Sequence, residues 1–284
     1  MKISPSAAKL LLLANLASPV AQVHAQEKFK VCADPLHPPY STKEQTGYEN
    51  KIAALFAEQL GQELEYTWFP ERMGFIRNTL KAENENGEGY KCDVVMGMPV
   101  GTELADTTDA YLHSTYVLLI AKGRGWDDIS TAAQLTELPP QRQDSLKIAM
   151  FDRGPGTTWL QKNGLLQQGV PYQSMTGDNQ HNIAMQIEND LRKGIIDMVM
   201  LWGPMAAYVQ AQGPRDSYIA IPMQSAPGMQ FDFSIAMGVR QGDGKRKQQL
   251  NELIEKNLDR IQALIAEYGI VSLPISKAAA KKDD

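Results

Sequence analysis

Hydrophobic residues along the chain follow two different periods, and their order predicts a mixed α/β protein. Apolar runs with strand character lie at residues 29–33, 64–68 and 92–98. Between them, residues 49–60 and 72–81 place apolar side chains at the three- and four-residue spacing of a helix. Strand–helix–strand–helix–strand order is typical of a parallel sheet with helices on its faces.

A second set of elements follows an apolar run at residues 116–121. A short helix is expected at 127–135 and a loop at 139–145. The remaining elements are predicted strands at 146–151, 172–175 and 195–202, which alternate with helices at 155–166, 183–194 and 204–212. The alternation of the first set is therefore repeated.

The chain is expected to return to the first set through a second apolar run at residues 218–223. Alternating residues at 231–239 then predict a strand, and an apolar stripe from Leu250 to Tyr268 predicts a last helix that ends at Gly269. Two sets joined by two hinge crossovers predict a two-lobed clamshell with two parallel-core sheets flanked by helices. The predicted lobes are residues 26–120 with 223–284, and residues 121–222.

The first 25 residues have the pattern of an export signal that is cleaved. Lys2 and Lys9 accompany an apolar run at residues 10–16, and residues 23–25 (VHA) form a small-x-small cleavage site. The apolar run is too short to span a bilayer. A buried N-terminal helix is the alternative interpretation, but the flanking residues favour export.

Charge and hydropathy argue against two classes of partner. The chain carries 28 basic and 33 acidic residues, and loss of Lys2 and Lys9 with the signal leaves 26 against 33, a formal charge of −7. No basic patch is dense enough to suggest nucleic-acid binding. No second hydrophobic stretch is long enough for a membrane span.

The chain has two cysteines, Cys32 and Cys92. An exported protein enters an oxidising compartment, so one disulfide between them is expected, with two buried thiols as the alternative. Neither cysteine has the neighbouring cysteine or histidine of a metal site. In the chain-entropy model, closing a loop of this size stabilises the fold by about 4 kcal/mol.

Several short motifs carry a resemblance to a known family. They lie at residues 31–35 (VCADP), 47–53 (GYENKIA), 74–80 (GFIRNTL), 92–97 (CDVVMG) and 114–117 (STYV). On these motifs the chain resembles type II periplasmic solute-binding proteins, the fold of the amino-acid-binding components of ABC importers. Within that fold it is similar to the MoxJ/XoxJ-type periplasmic proteins associated with quinoprotein methanol dehydrogenases.

This resemblance implies a non-enzymatic periplasmic accessory protein of methanol oxidation. Such a protein would bind subunits of the methanol dehydrogenase that depends on pyrroloquinoline quinone (PQQ) and assist its maturation or activation. It would hold no cofactor of its own. The alternative is a solute-binding receptor of an ABC importer for a small organic solute.

The chain departs from its amino-acid-binding relatives at two positions. Those relatives follow the third strand with Thr-x-x-Arg, whose arginine holds the ligand carboxylate, but the run from Thr102 places Ala105 there. They also end a later strand with an aspartate for the ligand ammonium, where this chain has Trp202. Loss of both charged anchors argues against capture of an amino acid.

Six residues remain as candidates for a ligand cleft because they lie at strand ends, in the first loop or at a helix start. They are Tyr40, Trp68, Arg153, Gly156, Thr157 and Trp202. Gly156 and Thr157 resemble an anion-receiving helix start, with a plain N-cap as the alternative. For Arg153 the alternative is a solvated loop, and for the two tryptophans it is a place in the core.

Enzymatic interpretations find little support in the sequence. After signal cleavage, His37, His113 and His181 remain, each alone among residues that are not metal ligands. The sequence lacks the H-E-x-x-H, G-x-S-x-G, Walker and G-x-G-x-x-G motifs. We therefore assign no catalytic residue and no metal site.

Overall fold

The computed structural model describes residues 27–174 and 182–275. The predicted signal at residues 1–25 and His181 lie outside the described residues. The first elements in chain order are β1 (Lys28–Ala33), β2 (Leu36–His37), β3 (Ser41–Thr42), α1 (Tyr48–Leu60), β4 (Glu63–Trp68), α2 (Phe75–Asn78), β5 (Val94–Pro99) and β6 (Asp106–Thr107). β1 pairs in parallel with β4 on one side and β5 on the other, as the strand–helix order predicts.

The second set of elements begins with a long strand and contains two short 3₁₀ helices, at Ala132–Thr136 and Leu166–Gln168. Its other elements are β7 (Leu112–Ala121), α3 (Pro140–Asp144), β8 (Ile148–Phe151), α4 (Pro155–Lys162), β9 (Gly169–Tyr172), α5 (Ile183–Lys193), β10 (Met198–Trp202), α6 (Gly203–Gln212) and β11 (Tyr218–Pro222). The chain then forms β12 (Asp232–Val239) and α7 (Gly244–Ala266).

β7 joins two sheets that would otherwise be separate. Ten of the described strands are connected in the order β4-β1-β5-β12-β7-β10-β8-β9, with β6 beside β12 and β11 beside β7. Leu112 and Thr115 of β7 pair with β12, whereas the next residue, Tyr116, pairs with Trp202 of β10. The chain therefore passes from one sheet to the other between two adjacent residues.

Both sheets have a parallel core, as the sequence predicts. In the first sheet β4, β1 and β5 are parallel, and β12 adds antiparallel to β5. In the second, β10, β8 and β9 are parallel, and β7 and β11 are antiparallel neighbours. The architecture is therefore the expected α/β fold of parallel-core sheets flanked by helices and joined by crossovers. The lobe boundaries given above remain a prediction.

The disulfide between Cys32 and Cys92 is formed. It joins β1 to the residues just before β5, with the two Cα atoms 5.5 Å apart. Both cysteines are buried beside Leu80 and Val95. The alternative of two free thiols is therefore wrong.

Some local predictions were wrong, and each has a structural reason. The helix predicted at 72–81 is the single turn α2, because Gly74 has a φ of 89° and the chain leaves helical geometry at Thr79. The helix predicted at 127–135 is a 3₁₀ turn at Ala132–Thr136. The loop predicted at 139–145 contains α3, which has a proline in its first turn.

The strand predicted at 172–175 begins three residues earlier, as β9 at Gly169–Tyr172. Its position is fixed by pairing with β8, where Ile148 lies opposite Gly169 and Phe151 opposite Tyr172. Pairing between strands therefore decides the boundaries here, and a local apolar pattern does not contain that information.

Candidate functional site

A cavity of about 590 Å³ lies between the two sheets. It is lined by the end of β5, the last residue of β10 and the turn that follows β8. In open α/β sheets, ligands bind at the carboxyl ends of the parallel strands. The cavity is therefore in the position where this architecture offers a binding site.

Three of the six sequence-predicted residues line this cavity: Tyr40, Arg153 and Trp202. Arg153 and Trp202 also line a smaller adjoining pocket of about 110 Å³, together with Gly156 and Thr157. Trp68 lies outside the lining of both and stacks on Tyr66, with 4.5 Å between the ring centroids. The structure thus brings five of the six residues to two adjacent spaces.

Gly156 and Thr157 organise the start of α4 by packing and by one hydrogen bond. The Thr157 hydroxyl donates to the carbonyl of Phe151 at 2.6 Å, and the helix has no side-chain cap. The interpretation of Thr157 as an N-cap is therefore wrong. A Cβ at Gly156 would lie 3.0 Å from the Cβ of Met200, so a side chain here would separate α4 from β10.

Three aromatic side chains form one wall of the cavity. Tyr116 of β7, Trp202 of β10 and Phe233 of β12 contact one another with centroid distances of 5.6, 5.9 and 6.4 Å. Each comes from a strand that meets the others where the chain crosses between the sheets. The aromatic wall therefore lies where β7 passes from one sheet to the other.

A buried carboxyl group, that of Glu49, also lines the cavity. Glu49 is 7% exposed, and its Oε1 accepts hydrogen bonds from the hydroxyls of Tyr48 at 3.3 Å and Tyr111 at 3.4 Å. Burial raises the pKa of Glu49 to about 7, although the nearby charge of His37 acts to lower it. The carboxyl group therefore titrates near neutral pH.

The start of α1 holds Glu49 in this position. The side-chain oxygen of Asn50 accepts from the backbone amides of Thr42 at 3.0 Å and Gly47 at 3.1 Å. These bonds fix the first turn of the helix against the preceding loop. Glu49, in that turn, lies beside β5, where a Cβ added at Gly97 would stand 2.5 Å from its Oε1.

An ion pair between His37 and Glu71 lies at the edge of the same cavity. His37 Nδ1 is 2.7 Å from Glu71 Oε2, and the His37 ring packs against Tyr40 in a tilted arrangement with centroids 4.4 Å apart. Burial opposes charging of both groups, yet each holds the other charged, so the pKa of His37 is raised and that of Glu71 is lowered. The Glu71 side chain is 48% exposed, so the ion pair with His37 affects its charge more than burial does.

The position of the missing arginine is closed. Ala105 is 4% exposed and packs with Val95, Met98 and Cys92, so an arginine here would be buried in an apolar cluster. Among the residues that line the cavity, Arg153 carries the one guanidinium group; its side chain is 75% exposed and lies 3.8 Å from Asp152. The loop after β5 is therefore not a carboxylate clamp.

Sequence reasoning missed His37, Glu49 and Glu71 as cavity residues. A signal existed for Glu49, because it lies three and four residues before Ile52 and Ala53 and so shares the buried face of α1. The other two lie on β2 and in the loop after β4, and neither position has a periodic pattern around it.

The remaining described histidine, His113, does not belong to the cavity lining. It is held by Asp232 and by the carbonyl of Pro274, each at 2.9 Å. Across residues 27–174 and 182–275, the structure contains no group of three or more potential metal ligands.

Comparison with known proteins connects this fold to a named group. No protein-family model matches the chain. Over 260 residues it is 26% identical to Protein MoxJ of Methylorubrum extorquens, covering 87% of this chain and 82% of that relative.

Two crystal structures have the same architecture. Periplasmic binding protein XoxJ from Methylobacterium extorquens AM1 has a TM-score of 0.68 at 27% identity and covers 87% of this chain and 99% of its own. MxaJ from Methlophaga aminisulfidivorans MPT has a TM-score of 0.69 at 22% identity, covering 86% and 100%, and supports the fold alone. The chain therefore has a type II periplasmic-binding fold and is similar to the MoxJ/XoxJ-type proteins.

Proposed function

We propose that this protein is a non-enzymatic accessory protein of periplasmic methanol oxidation. It binds the PQQ-dependent methanol dehydrogenase and assists its maturation or activation. The likeness to MoxJ and XoxJ supports both the link to methanol oxidation and the periplasmic location. None of the helices in the described ranges is long and apolar enough to cross a membrane.

The observation that carries the proposal is the altered chemistry of the cavity. Ala105 is buried where related receptors hold a carboxylate-binding arginine, and Trp202 stands where they hold an aspartate. The scaffold of a binding protein is kept, but neither charged anchor for an amino acid is present. This combination supports a protein that uses the receptor fold for a different partner.

The cavity lining lacks several of the side chains used in nucleophilic catalysis. Its histidine, His37, is held by Glu71, and the residues that line the cavity in the described chain include no serine, threonine or cysteine. A nucleophile and its base need to lie within hydrogen-bonding distance of each other. The lining therefore holds no hydroxyl or thiol nucleophile of the serine, threonine or cysteine type beside His37.

Co-elution with purified methanol dehydrogenase tests the proposal. The chain and the dehydrogenase are mixed at micromolar concentrations, separately for calcium- and lanthanide-containing enzymes, and separated by size-exclusion chromatography. We expect a shared peak with one of the two enzymes. Separate peaks with both would contradict the proposal.

A solute-binding receptor is the second candidate, and the size of the cavity favours it. About 590 Å³ lies within the range of roughly 300–1,000 Å³ that is typical of small-molecule sites. This candidate predicts that one compound in a panel of small organic solutes raises the melting temperature of the protein. If no compound in the panel raises the melting temperature, this candidate is ruled out.

A further inference from the structure

The charged groups that line the cavity differ in whether they have an ion-pair partner. His37 is neutralised by Glu71, and Arg153 lies mostly in solvent beside Asp152. Glu49 differs from them, because its hydrogen bonds come from two phenol hydroxyls and none of the ion pairs among the described residues includes it. An ionised Glu49 is therefore a buried negative charge with no ion-pair partner among the described residues, and the nearby charge of His37 is already offset by Glu71. Such a charge is costly.

The surfaces around Glu49 are suited to a cation. Tyr40, Tyr116, Trp202 and Phe233 line the same cavity as the carboxyl group. The faces of aromatic rings attract ammonium and guanidinium groups, most strongly where water is excluded. Met96 and Ile235, which also line the cavity, offer apolar contact to an alkyl stem.

We propose that this cavity binds one alkylammonium or guanidinium group, with Glu49 as its counter-ion and the aromatic side chains as its wall. The inference deepens the function proposed above and rests on it for the identity of the ligand. The cation belongs either to a basic side chain of the dehydrogenase or to a free solute.

The same lining disfavours an anion. An ionised Glu49 would repel a carboxylate, and Ala105 is buried at the position from which an arginine would hold one. Arg153 is available only at the exposed edge, where Asp152 already offsets its charge. A cation therefore fits the lining better than the carboxylate that amino-acid receptors hold.

Isothermal titration calorimetry with two matched probes tests the proposal on the isolated protein. Butylguanidinium carries the charge, whereas butylurea has nearly the same shape without it. At pH 8 we expect butylguanidinium to bind at least about tenfold more tightly than butylurea. Equal affinities, or no binding of butylguanidinium at millimolar concentration, would overturn the proposal.

Two variants test whether Glu49 is the carboxyl group that causes the preference for butylguanidinium over butylurea. Glu49→Gln keeps the shape and removes the charge, so it is expected to abolish the preference for butylguanidinium. Glu58→Gln removes an exposed charge from the same helix and is expected to leave the preference unchanged. An unchanged preference in Glu49→Gln would overturn the proposal.

The pH dependence of the wild-type protein gives an independent test that needs no variant. The titratable groups that interact with Glu49 are His37, Glu71, Tyr40, Tyr48, Tyr66 and Tyr111. Ionisation of Glu49, whose pKa is raised to about 7, favours a cation as the pH rises. Affinity for butylguanidinium is therefore expected to increase about tenfold from pH 6 to pH 8, and equal affinity at both would overturn the proposal.

A competition arm separates the two sources of the cation. If a dehydrogenase side chain occupies the cavity, saturating butylguanidinium reduces co-elution of the two proteins, and butylurea does not. If the ligand is a free solute, co-elution is unchanged by either probe. Because the calorimetry uses no dehydrogenase, loss of co-elution and loss of cation binding are separate results.

Discussion

Gly97 and Glu49 lie so close together that a side chain at position 97 has no room. A Cβ on Gly97 would stand 2.5 Å from Glu49 Oε1, and the φ of Gly97 is +71°. The amide of Gly97 also donates to the hydroxyl of Tyr111 at 3.0 Å, and that hydroxyl donates to Glu49. The end of β5 and the start of α1 are therefore packed around one carboxyl group.

Gly97→Ala is expected to lower the free energy of unfolding by about 2–3 kcal/mol, because it adds both backbone strain and a contact with the carboxylate. Gly101→Ala is the matched control, since Gly101 has a φ of +77° and open space around it. The control should cost about 1 kcal/mol, from backbone strain alone. Urea denaturation of both variants measures the difference, and equal losses would mean that the contact with Glu49 has no effect on stability.

The raised pKa of Glu49 predicts a pH-dependent stability. Its carboxyl group titrates near 4.5 when unfolded and at about 7 when folded, so the folded state binds the proton more tightly. The resulting stability is present below pH 4.5 and is lost as the pH rises through 7, by about 3 kcal/mol in total.

Glu49→Gln isolates this effect, because the variant has no proton to lose at that position. The free energy of unfolding is measured by urea denaturation at pH 5 and pH 8 for both proteins. We expect a larger loss between these values in the wild type than in the variant. Identical changes in the two proteins would show that Glu49 keeps an ordinary pKa in the folded state.

The disulfide should contribute strongly to the stability of the first sheet. It closes a loop of 60 residues, which corresponds to about 4 kcal/mol in the chain-entropy model. The variant with both Cys32→Ala and Cys92→Ala should unfold at correspondingly lower urea concentration. Wild-type protein under reducing conditions is expected to match it, and a double variant as stable as the oxidised wild type would contradict this.

The order of elements was predictable from sequence, but long-range pairing was not. The elements β1, α1, β4, β5 and the stripe of α7 follow from local periodicity, with boundaries shifted by a few residues. The antiparallel position of β12 between β5 and β7 depends on partners more than a hundred residues away. No local pattern encodes which apolar strands will become neighbours.

The residues that line the cavity were also only partly predictable from sequence. Tyr40, Arg153 and Trp202 were found because strand ends and loops are where such folds bind ligands. Glu49 was missed because a helical stripe directs attention to its apolar members. Its burial and raised pKa arise from contacts with Tyr111 and Gly97, which only the folded chain brings together.

The affinity between this protein and methanol dehydrogenase tests the central claim most directly. Immobilised protein is titrated with the PQQ-containing enzyme, in its calcium and lanthanide forms, and the equilibrium response is fitted to a dissociation constant. The proposed accessory function predicts saturable binding with a Kd on the order of 1 μM or below for one form. Absence of saturable binding by both forms up to roughly a hundredfold higher concentration would contradict it.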